Sequence, residues 1–186
     1  MLPEVFIALF ESSGVRFAVS RESVFDCMPH LGSEQPRGWP NGSTFGDVAG
    51  AYFAGEKKVV VGSTQGPNGD RILLPKGKRH GSENLMVHEG SHAFDAESSY
   101  ISANDEKFVA ARAADLSCLS DYEKQDGGAG KSETFAEQFA MFVSVQEFKT
   151  KCPSLTQYFN AVFKIKPAVS EVPPIADAPV VSEAPK

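Results

Sequence analysis

The pattern of apolar and polar positions changes period along the 186-residue chain. Residues 3–12 read as a short helix and residues 15–19 as a strand. The next stretch, PHLGSEQPRGWPNGSTFGDVAG (29–50), is rich in Gly, Pro, Ser and Asn and predicts a long loop. Residues 57–62 and 71–74 have β-branched or large apolar centres and flank the turn-forming STQGPNGD. They predict a β-hairpin or two neighbouring strands. From residue 82 to 96 the spacing becomes helical, with Ser82 as the candidate N-cap. Further helices are predicted at 105–117, 132–147 and 154–163. Strands first and helices afterwards give an α+β fold: a small mixed β-sheet packed on the 82–96 helix, followed by a mostly helical C-terminal part. After residue 166, five prolines interleave with Ala, Val, Ser and Glu, and no stretch between them sustains a helix or a packed strand. The organisation expected is one domain over 1–165 and an extended Pro/Ala-rich tail over 166–186.

Composition narrows the partners. With 41% apolar and 23% charged residues, the chain is an ordinary globular protein, and its net charge of -6 gives no electrostatic footprint for nucleic acid. No apolar run approaches the roughly 20 residues needed to span a bilayer. The apolar opening lacks a basic leader and is interrupted by Pro3 and Glu4, so it reads poorly as a secretory signal. A monomer is expected. Cys27, Cys118 and Cys152 are odd in number and widely spaced, which argues for free or buried thiols and against a disulfide framework or a C-x-x-C knuckle.

Chemistry concentrates in MVHEGSHAFD (86–95), where two of the chain's four histidines lie four positions apart around a glutamate. On a helix His88 and His92 share a face and can aim two imidazoles at one point, with Glu89 beside them. Neutral imidazoles suit zinc, and a carboxylate next to an open coordination position can take a proton from water there. KSETFAEQFAMFV (131–143) supplies a second helix, on which Glu133 and Glu137 share one face while Phe135, Phe139 and Phe142 form the flank that anchors it. Spacing alone allows either acid to complete the site. The bland alternative is a pair of surface acids meeting Lys131 or Lys107.

An H-E-x-x-H helix continuing into Ala-Phe-Asp, followed some forty residues later by E-x-F-A-E-x-F, resembles the gluzincin metalloproteases of the anthrax lethal factor catalytic-domain and Pro-Pro endopeptidase type. The resemblance covers residues 39–143. It implies that His88, His92 and Glu133 bind Zn2+, that Glu89 is the general base, and that Glu137 holds a ligand histidine. It also implies a protein or peptide substrate lying extended against an edge strand, for which 57–61 is the candidate. Two positions depart from the family pattern. Gly90 and Ser91 fill the motif where relatives carry a bulky residue and then glycine. Position 126, where the family has an oxyanion-binding tyrosine, is Asp126; Tyr122 beyond the GGAG segment is the nearest substitute and Tyr100 a second. His80 reads as a residue of a solvated basic loop, His30 as a loop histidine, and Trp39 as a packing anchor.

The function expected is zinc-dependent hydrolysis of peptide bonds by a secreted or translocated bacterial effector or toxin. Two alternatives use the same residues: an inactive metal-containing module that binds protein, and a zinc amidase acting on cell-wall peptides. The intact Glu89 argues against the first, because a purely structural site has no use for a base.

Overall fold

A computed structural model describes residues 3–31, 34–36 and 40–164, so Trp39 and the tail lie outside the described residues. Helix α1 (Glu4–Ser13) leads into strand β1 (Arg16–Arg21), and the 24–31 segment forms two short 3-10 turns. Strands β2 (Gly50–Phe53), β3 (Lys58–Gln65) and β4 (Arg71–Leu73) follow. The remaining elements are helical: α2 (Leu85–Glu97), α3 (Ile101–Asn104), α4 (Glu106–Ala114), α5 (Gly127–Ser144), α6 (Phe148–Lys151) and α7 (Pro153–Phe163). The α+β order expected from the hydrophobic pattern is the one found.

The sheet is built around β3. Its Val59, Val60 and Val61 are fully buried, as expected of a strand covered on both faces. Val59 and Val61 join the main core under the helices, whereas Val60 joins Val24, Met28 and Val48 on the opposite face. On one side β1 runs parallel to β3, pairing Arg16 with Lys58 through Arg21 with Ser63. On the other side β2 pairs antiparallel with the first half of β3 and β4 with the second. β3 is therefore the central strand, which corrects the expectation that 57–61 forms the edge. The edge on this side is β2 and the opposite edge is β1. The predicted loop ends at Gly50, and no element is predicted for 51–53. The four half-buried residues of β2 are too few to display an alternation.

The main core is aromatic. Phe6 of α1 stacks against Phe94 of α2 and Phe139 of α5, with ring centroids 4.3 and 4.8 Å away. Phe135, Phe159 and Phe163 extend the cluster to α7. Burying one such side chain contributes roughly 1.5–3 kcal/mol, so this cluster fixes α2 and α5 side by side. The helix expected from residue 132 instead begins at Gly127, because Gly127 to Gly130 form its first turn. Cys118 and Cys152 form a disulfide, correcting the expectation of free thiols; only Cys27 is unpaired. Their sequence separation of 34 conceals a spatial proximity created where the 116–118 turn packs on the start of α7. There the Asp115 carboxylate also accepts a hydrogen bond from the Leu155 amide at 2.8 Å.

Candidate active site

Helix α2 is started by Asn84, whose side chain accepts a hydrogen bond from the Val87 amide at 3.2 Å. The expected cap, Ser82, instead accepts one from the Asn84 amide at 3.3 Å. Leu85, Val87 and Phe94 anchor the helix in the core. At the other end Glu97 accepts from Tyr52 Oη of β2 at 2.9 Å and from Lys57 Nζ at 3.0 Å, which ties the edge strand to the helix.

His88 and His92 project from α2 toward α5, and their Nε2 atoms lie 3.2 Å apart. Glu133 of α5 brings Oε2 to 3.5 Å from His88 Nε2 and 3.6 Å from His92 Nε2. These three residues form the metal-capable cluster among the described residues. The donor set fits zinc: ligands at about 2.0–2.1 Å on tetrahedral corners stand about 3.4 Å apart, and the three separations bracket that value.

The outer nitrogens are also held. His88 Nδ1 is 3.0 Å from Glu137 Oε2, and His92 Nδ1 is 3.1 Å from Ser132 Oγ. Of the two face-sharing acids, Glu133 thus meets both inner nitrogens and Glu137 meets one outer nitrogen. Ser132 was missed in the sequence; its one signal was its position beside Glu133 on the second helix. Burial pulls the His88 pKa down, but hydrogen bonds to Glu133 and Glu137 outweigh it and push the value up to about 10. Burial raises Glu133 and Glu137, and the histidines override this, holding both carboxyls below their ordinary value. The arrangement stabilises positive charge between the two helices.

Glu89 is buried beside this cluster and packs on the backbone of β2. A Cβ at Gly50 would lie 2.9 Å from Glu89 Cγ and 3.1 Å from its Oε1. Burial raises the Glu89 pKa above its ordinary value, and charge on His88 and His92 opposes the rise. His88, Glu89, His92, Glu133 and Glu137 open into one groove of about 960 Å³, whose apolar lining includes Phe45, Val48, Phe53, Leu85 and Met141.

Tyr122 lines the groove as well, although the residue is 60% exposed. Partial desolvation, then the charge of Glu133 and a hydrogen bond to it, push its pKa up to about 12. Tyr100 is exposed and stands outside the groove lining. His80 differs from the solvated loop residue expected: it is half-buried in the groove wall, with Nε2 donating to the Leu74 carbonyl at 2.8 Å. His30 pairs with Glu56 at 3.0 Å, outside the groove.

Fold and convergent donors together define the class, a zinc-type endopeptidase fold with a metal-capable cluster of three residues. The chain belongs to the family described as anthrax toxin lethal factor, N- and C-terminal domain, which matches residues 2–162. Among solved structures it is similar to the Pro-Pro endopeptidase PPEP-2 from Paenibacillus alvei, with a TM-score of 0.67 and 22% identity over 87% of this chain and 84% of that one. No curated protein matches in sequence. Among the described residues, no helix is long and apolar enough to cross a membrane.

Proposed function

We propose that the protein is a zinc-dependent endopeptidase that cleaves a protein substrate as a secreted effector or toxin. The observation that carries this reading is the convergence of His88, His92 and Glu133 beside the buried carboxylate of Glu89. His88 and His92 would hold the ion through Nε2 and Glu133 through Oε2. When bound, zinc supplies Lewis acidity toward a carbonyl oxygen and makes water more acidic.

Glu89 is the general base: its raised proton affinity suits it to take a proton from the attacking water and return it to the leaving amine. Glu137 and Ser132 hold the outer nitrogens of His88 and His92, which keeps the inner lone pairs directed at one point. Tyr122, kept protonated by its high pKa, donates its phenolic hydrogen to the developing oxyanion. The substrate lies extended along β2, which ends the sheet beside Glu89 and can pair with an added strand. Secretion is supported by the Cys118–Cys152 disulfide, a bond that oxidising compartments preserve.

Glu89→Gln tests the reading on a peptide library that includes Pro-Pro sequences, the bond named for the structural neighbour. The variant is expected to retain zinc and lose hydrolysis by about 10²–10⁴-fold. Comparable turnover in the variant would assign the base elsewhere. Failure of the wild type to bind zinc would remove the mechanism, and release of muropeptides in place of cleaved protein would indicate an amidase.

A further inference from the structure

Tyr122 stands on a segment, 119–126, that contains no helix or strand. Its neighbours are nevertheless fixed at several points. Glu123 is 3% exposed, and its carboxylate accepts hydrogen bonds from the Ser120 amide at 2.9 Å, the Ser120 hydroxyl at 2.6 Å and the Gln138 side chain of α5. Arg112 of α4 donates to the Glu123 and Gln125 carbonyls. The segment also presses on the first turn of α5 so closely that a Cβ at Gly130 would lie 1.9 Å from the Gln125 carbonyl oxygen. Immediately before the segment, Cys118 lines the groove and is bonded to Cys152, the residue that precedes α7. Helix α7 is independently seated by Leu155, Phe159 and Phe163, so the disulfide joins the segment to a rigid body.

We propose that the Cys118–Cys152 disulfide and the buried Glu123 are positioning elements for hydrolysis: they hold Tyr122 at the groove beside Glu133, and opening the disulfide lowers turnover while leaving the metal ligands in place. This rests on the oxyanion role given to Tyr122 above. The ligands do not depend on the bond, because they stand on α2 and α5, which the aromatic cluster holds together. The enzyme is then active in its oxidised form, which points to work outside a reducing cytosol.

The test uses zinc-loaded full-length protein in four forms: wild type, Cys118→Ala/Cys152→Ala, Glu123→Gln and Tyr122→Phe. Wild type treated with a water-soluble phosphine gives the reduced state without a folding step. The phosphine breaks the S–S bond, two thiols form with protons from water, and the phosphine leaves as its oxide.

Tyr122→Phe is expected to lower kcat by about 10²-fold. The cysteine pair, Glu123→Gln and the reduced protein are each expected to lower kcat by about tenfold or more, with KM within about twofold and zinc content unchanged. Adding the cysteine substitutions to Tyr122→Phe should lower kcat no further, because both act through one hydroxyl; a merely structural effect would persist in that background. In metal-free protein, chymotrypsin should cut after Tyr122 faster once the disulfide is opened. Full kcat in the reduced protein alongside a slow Tyr122→Phe would overturn the positioning role alone. An unaffected Tyr122→Phe would overturn the oxyanion role on which it rests.

Discussion

The two walls of the groove are held by different physics. The wall that carries His88, His92, Glu133 and Glu137 consists of two helices whose opposite faces place Phe94, Phe135 and Phe139 in an aromatic core. Its polar side chains are aimed by helical period, and their placement is spread over many apolar contacts. The wall that carries Tyr122 has no period and a few identifiable restraints: one disulfide, one buried carboxylate, and an arginine on two carbonyls. The first should tolerate repacking and fail when a polar side chain is removed. The second should fail at single bonds and leave the first intact.

The sharpest way to break this contrast is within the helical wall. Glu133→Ala removes the carboxylate that meets both inner nitrogens and should leave the protein without zinc at ordinary concentrations. Glu137→Ala removes a partner of His88 Nδ1 and should weaken zinc affinity or activity by about 10–100-fold. Zinc titration of both variants decides the ranking. Retention in Glu133→Ala with loss in Glu137→Ala would exchange their roles.

An effect smaller than loss of the metal is expected where the helical wall meets the sheet. Alanine at position 50 would bring its Cβ to 2.9 Å from Glu89 Cγ and 3.0 Å from Leu85 Cδ1. Leu85 can turn away, but Glu89 must move its carboxylate. A displacement near 1 Å from the reacting geometry reduces rate by about 10²-fold, so Gly50→Ala should lower kcat on that scale with zinc content unchanged. Unaltered kcat would mean that the base is not held by β2.

What the sequence revealed follows the same division. Strong periodicity made α2 and α5 legible, and with them the four polar residues that share their facing sides. β2 carried too little alternation in four residues, and the turn holding Tyr122 carried none. Gly127 to Gly130 fall outside the predicted 132–147 helix because glycine disfavours helices. The Gln125 carbonyl, which requires a residue without a side chain at position 130, comes into view only in three dimensions. The disulfide was hidden for a related reason, since an odd number of cysteines gives no pairing and the meeting of Cys118 with Cys152 depends on how α7 docks.

Protonation offers a further way to separate the walls. Before metal uptake, His88 titrates at about 10 against an ordinary 6.5, so its stabilising contribution is complete below about 6.5 and fades as pH rises through 10. Glu133 and Glu137 are lowered from 4.5, so theirs is present above about 4.5 and fades as acid protonates them in the folded protein. Zinc and the His88 proton compete for the same lone pair, so uptake at neutral pH should release about one proton. Apparent affinity should then rise by about tenfold per pH unit through the neutral range. Calorimetry in buffers of different ionisation enthalpy measures the count. Tyr122→Phe should leave it unchanged, whereas a count of zero in wild type would contradict the charge balance assigned to the helical wall.

The smallest expected effect is a gain. Gly90 lies inside α2, where glycine is less favourable than alanine by about 1 kcal/mol. Nothing nearby requires its lack of a side chain: an added Cβ would meet the Phe17 ring at 3.6 and 3.7 Å and Phe10 at 3.9 Å, which is ordinary contact. Gly90→Ala should therefore stabilise the protein by about 0.5–1 kcal/mol, raising Tm by roughly 1–4 °C, through a stiffer unfolded chain and added apolar contact. The site should not notice, because Gly90 faces the Phe10 and Phe17 rings while His88 and His92 face α5. Thermal unfolding and zinc titration of the same variant check both halves. Higher Tm with unchanged affinity fits a wall whose ligands are aimed by helical period; a lower Tm would mean that Phe17 cannot yield and that α2 is packed more tightly against β1 than these distances imply.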